Sequence, residues 1–223
     1  MSSQTLLTVL ALLALVFLAA CNEADEVARS VPRGKPVAID GTLAPGEWDA
    51  ARVEAFSDGS ELLLMAQEGY LYLGIRSNTP EMIAGNVFIG QGDEIRILHT
   101  SAALGTAVYK RGAGSWQQTQ AFDWRCRRTD LSDAAQAERE TFLQDEGWTS
   151  INSRMGAPNE LEVQIVVSGP SVRLAANLLR SSDPNVKVIW PIDLDDDTIR
   201  PTPAGLPSQM SFSPDRWAAI DLP

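Results

Sequence analysis

The chain holds one histidine and two cysteines in 223 residues. That is too few ligands for a Cys/His zinc cluster and too few thiols for a scaffold stapled by disulfides. Basic residues are also short: 18 Lys and Arg stand against 29 Asp and Glu, a formal net charge of −11. Nucleic acid and anionic lipid headgroups need a positive footprint, so no nucleic-acid partner is expected, and neutral or cationic ligands fit better. With His99 the only imidazole, a Ser-His-Asp or Cys-His engine has little to stand on, and no carboxylate pair singles itself out for glycoside hydrolysis. No catalytic residue is therefore expected. What the chain does have is 44% hydrophobic residues, enough to bury a core in one large or two small domains.

The longest apolar run, residues 6 to 20 (LLTVLALLALVFLAA), is shorter than the roughly 20 residues of a spanning helix and has the length of a signal-peptide core. It closes on Leu18-Ala19-Ala20-Cys21, which resembles the lipobox of bacterial lipoproteins, although the leading MSSQT carries no Lys or Arg. The resemblance implies that residues 1–20 are a lipoprotein signal peptide and that Cys21 is lipidated. Acyl chains there would hold the protein on a membrane at about 0.8 kcal/mol per buried CH₂. Asn22, rather than Asp, follows the cysteine and points to the outer membrane, with the domain facing the periplasm or cell surface. Residues 21–36 read as the lipidated cysteine and a polar tether, and 37–223 as the folded domain. Cys126 is then left without an intramolecular partner. Its neighbours Arg125, Arg127 and Arg128 would favour a thiolate, while the plainer reading is a small semi-buried residue beside a basic loop.

The remainder is mostly short β-type runs bounded by Gly, Pro, Asn and Asp, which predicts an all-β antiparallel sandwich. Residues 61–67 (ELLLMAQ) and 70–76 (YLYLGIR) flank Glu68-Gly69, a two-residue hairpin turn, and both arms are apolar on both faces, so they should lie centrally. Further strands are predicted at 86–90, 93–100, 106–111, 115–120, 160–168, 186–190 and 216–221. In 160–168, Leu161, Val163, Ile165 and Val167 share one face, with Glu162 and Gln164 on the other, as in a half-buried strand. Residues 131–146 are rich in helix formers and precede Gly147 in the C′ position, which predicts one inserted surface helix. The Pro-rich 201–207 reads as a loop.

Four segments carry a family resemblance: Ile39-Asp40-Gly41 followed by Glu47-Trp48, then YLYLGIRSNTP, then Gly92-Asp93-Glu94-Ile95-Arg96-Ile97, and finally Glu160-Leu161-Glu162-Val163-Gln164-Ile165. In that order they are similar to family 9 carbohydrate-binding modules and their DOMON-like relatives. The resemblance spans about residues 37 to 222 and implies an immunoglobulin-like or jelly-roll type sandwich. It also implies an oligo- or polysaccharide partner, in modules that accompany carbohydrate-degrading enzymes, and haem b in some branches. Trp48 is expected to be a structural anchor.

A sugar site needs flat aromatic faces and hydrogen-bonding side chains, which makes Trp116, Trp124, Trp148 and Trp190 the candidates, with Gln117, Gln118, Asp123 and Arg125 as polar partners. Asp193, Asp195 and Asp197 place hard oxygen ligands at alternate positions, a pattern that suits Ca²⁺, although Thr198 and Ala204 depart from an EF-hand. No other cofactor is expected. Haem b would need His99 and a methionine such as Met65 as an axial pair, whereas alternation with Ile95 and Ile97 makes His99 a packed core histidine. A lipoprotein that only docks a partner protein is the third reading.

Overall fold

The computed structural model describes residues 29–128, 130–152, 158–183, 186, 188–192, 194 and 205–223. Its strands in chain order are β1 (Arg29–Ser30), β2 (Arg52–Ala55), β3 (Glu61–Gln67), β4 (Tyr70–Arg76), β5 (Ile83–Gln91), β6 (Glu94–Thr100), β7 (Leu104–Arg111), β8 (Trp116–Gln120), β9 (Trp148–Asn152), β10 (Glu160–Val166), β11 (Ser171–Arg180), β12 (Val188–Trp190), β13 (Gln209–Met210) and β14 (Ala218–Asp221). One helix, α1 (Asp133–Glu146), interrupts them between β8 and β9. The larger sheet runs β1-β14-β11-β5-β6-β7-β8-β13, with β12 also on β11, and the smaller runs β2-β3-β4-β10-β9. The fold is thus an all-β sandwich with one inserted helix, as the sequence predicts.

The hairpin forms as expected, with Gln67 opposite Tyr70 and both turn residues at positive φ, Glu68 at 49° and Gly69 at 84°. This is the backbone of a type I′ turn, whose twist matches that of the strands. Leu62, Leu64, Leu71, Leu73, Leu161, Val163 and Ile165 of the smaller sheet pack in one core with Val87, Ile89, Leu98, Leu174, Ala176 and Leu178 of the larger.

Both outer faces are covered by the chain itself. Residues 31 to 51 form a strap over the smaller sheet, where Val37, Leu43 and Trp48 bury Leu63, Met65 and Tyr72. On the larger sheet, Leu194, Phe212 and Trp217 cover Phe88, Ile95, Ile97, Ala107, Tyr109, Ala175 and Ile189. The strap on one side and the inter-sheet core on the other are why β3 and β4 carry apolar residues on both faces.

The strap corrects two expectations. The sequence predicts a tether through residue 36, yet β1 pairs with β14, Val31 sits in the core, and Gly34 N donates to Ala66 O at 3.0 Å. Burying Val31 outweighs the polarity of its neighbours, so the fold starts before Val37. Likewise β10 is not half-buried: Glu162 lies beneath the strap with no exposure at all.

Helix α1 is capped as the sequence suggests. Ser132 accepts from Ala135 N at 3.3 Å, and Gly147 stops the helix at φ 67° while its N–H donates to Leu143 O. Phe142 drives an edge against Trp148 at 5.2 Å, fixing the helix to the rim of the smaller sheet.

Gly74 lies under the strap, and a Cβ there would come 2.8 Å from Leu43 Cδ2 and 3.2 Å from the Trp48 ring. Gly74→Ala is expected to destabilise the fold by about 1–3 kcal/mol through this overpacking. Urea denaturation checks it, and pairing the change with Leu43→Ala should cost less than the two single changes added together.

Candidate ligand site

The structure separates the four candidate tryptophans. Trp148 and Trp190 are essentially unexposed, and Trp116 is 4% exposed. Trp148 Nε1 donates to Thr106 Oγ1 at 2.8 Å, Trp116 Nε1 donates to Phe212 O at 3.1 Å, and the Arg29 guanidinium lies over the Trp190 ring at 5.5 Å. These three are core and covering residues with no ring face open to a ligand. The large apolar area of indole explains the correction: a core between two sheets and under two coverings consumes most of the tryptophan available.

Trp124 is the exception, at 40% exposure. It stacks on Phe122 with centroids 4.9 Å apart and planes 28° apart, and both rings meet the His99 edge, at 5.1 Å for Trp124 and 5.9 Å for Phe122. Leu104 and Arg125 exchange backbone hydrogen bonds at 2.8 and 2.9 Å, which pins the segment bearing these rings to β7. Gly105 makes room for them, since a Cβ there would lie 2.9 Å from two Trp124 ring carbons and 3.0 Å from Phe122.

A polar row continues from this aromatic pair across the outer face of the larger sheet. Asn177 on β11, Asn86 on β5, His99 on β6 and Gly105 on β7 are successive cross-strand neighbours. Asn86 Nδ2 donates to Asn177 Oδ1 at 2.8 Å, so Asn86 Oδ1 faces His99 Nδ1 at 2.7 Å. Burial pushes the His99 pKa down to about 4, so the ring is neutral at physiological pH. Nδ1 must then carry the proton that Asn86 accepts, which leaves Nε2 as an acceptor.

The other expected partners have structural roles. Arg125 holds Asp145 at 2.6 Å and Glu146 at 3.5 Å and lies over the Phe142 ring at 5.2 Å, so it clamps the end of α1. Gln118 Nε2 donates to Tyr109 OH at 3.2 Å and Gln117 Nε2 donates to Ser115 Oγ at 2.8 Å, whereas Asp123, between Phe122 and Trp124 in sequence, is exposed. Cys126 is buried and donates to Glu138 O, and burial raises its pKa to about 11, so the basic neighbours do not make it a reactive thiol. Met65 is buried beneath the strap, on the opposite side of the sandwich from His99, so these two residues cannot share an iron. Cys21, Asp193, Asp195 and Asp197 lie outside the described residues. Among the described residues no group of three or more His, Cys, Asp or Glu is placed to hold a metal ion.

Sequence reading missed Phe122, Asn86, Asn177 and Gly105. The first was within reach, because Phe122-Asp123-Trp124 in an extended segment puts the two rings on the same side. The cross-strand row depends on register and had no local signal. No family model, no curated protein and no solved structure matches this chain. The likeness to carbohydrate-binding modules therefore rests on the four segments quoted above.

Two buried titratable groups give the fold opposing pH responses. Desolvation raises the Glu162 pKa from 4.5 to about 7, so its contribution to stability is full below pH 4.5 and is lost as pH rises through 7. His99 falls from 6.5 to about 4, so its contribution is full above pH 6.5 and is lost as pH falls through 4. Each amounts to about 3 kcal/mol at most, and the two nearly cancel between pH 4.5 and 6.5. Chemical denaturation across that window should show stability falling with acidification in Glu162→Gln and rising in His99→Gln. The same slope in both variants would contradict this assignment.

Proposed function

We propose that this chain is a lipid-anchored, non-catalytic binding domain that takes a neutral oligo- or polysaccharide on the outer face of its larger sheet. The observation that carries the reading is the placement of Trp124. Among the candidate tryptophans it alone presents surface, and it does so from a fixed base of Phe122 and Gly105, beside the neutral His99 and the asparagine row. An indole face matches the apolar side of a pyranose ring, and uncharged acceptors such as His99 Nε2 match its hydroxyls. A neutral ligand also suits a chain of net charge −11. The apolar leader closing on Cys21 supports the anchor.

Calorimetric titration of the full chain, held in a detergent without sugar headgroups, against a panel of neutral oligosaccharides tests the site. Saturable binding is expected, weakened at least tenfold in Trp124→Ala. Binding that Trp124→Ala leaves intact would refute the platform, and silence across the panel would refute the sugar. Cys21→Ser is expected to move the protein from the membrane to the soluble fraction.

A further inference from the structure

A groove of about 350 Å³ lies on the other side of the molecule, between α1 and the strap. Its floor is the outer face of the smaller sheet where Thr149 on β9 pairs with Gln164 on β10. Ile39 of the strap and Leu131 and Leu143 beside and on the helix give it apolar walls.

The buried part of this groove holds a hydroxyl with no partner among the described residues and a cation that meets carbonyls but no carboxylate there. Thr149 is 5% exposed, and its Oγ1 is buried without a hydrogen-bond partner. An orphaned hydroxyl costs stability unless something outside the fold meets it. Arg139 is 7% exposed, and among the described residues its guanidinium meets only the carbonyls of Arg128 and Asp130, at the long distances of 3.4 and 3.5 Å. A cation this buried is ordinarily paired with a carboxylate. The carboxylates in the groove sit at its exposed rim instead: Asp40, turned toward Thr42 N at 2.9 Å, and Glu140, which accepts from Gln136 Nε2 at 3.1 Å.

The groove is therefore positive within and negative at its mouth. A simple anion would have to pass two carboxylates on a chain of net charge −11, and a simple cation would be pushed against Arg139. A neutral sugar would leave Arg139 unmatched. We infer that the groove between α1 and the strap binds an α-amino acid or short peptide in its zwitterionic form. The ligand's carboxylate meets Arg139 and the Thr149 hydroxyl, its ammonium lies between Asp40 and Glu140, and its side chain lies against Ile39, Leu131 and Leu143. The volume suits one or two residues and lies within the ordinary range of small-molecule sites. The inference stands apart from the sugar reading, since it uses none of the same residues.

Calorimetry of the full chain with L-leucine, dileucine, N-acetyl-L-leucine and L-leucinamide tests it. Leucine or dileucine should bind saturably, and each blocked leucine at least tenfold more weakly than leucine itself. Thr149→Val keeps the shape and removes a hydroxyl the fold does not use, so it should weaken binding several-fold while the melting temperature holds or rises. Glu140→Gln, exposed on the rim, should weaken binding with the fold intact. Arg139→Gln should abolish it, and the two gentler variants decide the matter where that protein does not fold. The inference is overturned if neither leucine nor dileucine binds, if the blocked forms bind equally well, or if Thr149→Val and Glu140→Gln both bind as the parent does.

Discussion

A carboxylate with no access to solvent holds the amino-terminal strap in place. Glu162 accepts from Gly41 N at 2.7 Å, Asp40 N at 2.9 Å and Trp48 Nε1 at 3.2 Å. Two residues earlier on the same face, Glu160 accepts from Leu43 N at 2.8 Å and Arg76 Nε at 2.9 Å. Burying these acids is unfavourable, and the backbone N–H groups of a turn are what offset it, because such donors are costly to leave unpaired as well. The exchange satisfies both partners and lays Val37, Leu43 and Trp48 over the outer face of the hairpin. Without the clasp, Leu63, Met65 and Tyr72 would be an exposed apolar patch on a flat sheet. The strap, the smaller sheet's outer layer and one wall of the α1 groove all depend on it.

The covering of both faces decides where a ligand can reach. Over the larger sheet, Phe212 and Trp217 close one end, and at the other the chain supplies Phe122 and Trp124 over Gly105. The aromatic pair and the α1 groove both lie at the margins of these coverings, where the sheet supplies polar side chains and the covering supplies an edge. Each also uses the segment between β8 and β9, Trp124 from the stretch ahead of α1 and Arg139 from the helix. The insertion thus closes the rim of the sandwich through Phe142, Cys126 and Arg125 while also contributing residues to both proposed sites.

Local signals carried much of the fold. The Glu68-Gly69 turn, the capped helix ending at Gly147 and most strands of the larger sheet follow from turn chemistry and period, because each is settled within a few residues. The longest strand, β11, had no such signal: SVRLAANLLR is built of good helix formers, and burial on both faces of its central residues removes the alternation that would mark a strand. Its place between β5 and β14 is settled by tertiary pairing. Glu162 misled in a related way, since a polar residue at an alternate position marks a solvent face unless another segment lies across it. The candidate site was half legible. The sequence singled out Trp124 among four tryptophans of equal standing, but which of the four faces solvent is set by the coverings, and the asparagine row exists only through the register of three strands.

The coverings also bear on what kind of sugar contact the proposed function allows. A sandwich with a bare sheet can lay a polymer along several strands and hold it with a row of aromatic faces. Here the apolar part of each outer face is occupied by the chain's own residues, and the aromatic surface left on the larger sheet is one stacked pair at one end. The polar groups beside it run across the strands from β6 to β11 rather than along them. Recognition built on this geometry would be confined to one or two sugar rings, with its specificity resting on where a hydroxyl meets His99, because Asn86 and Asn177 are buried and serve to orient that ring. On the proposed reading such a site would take the end or a short unit of a glycan, and the proposed lipid anchor would offset modest affinity by keeping the domain concentrated at the surface where the glycan lies.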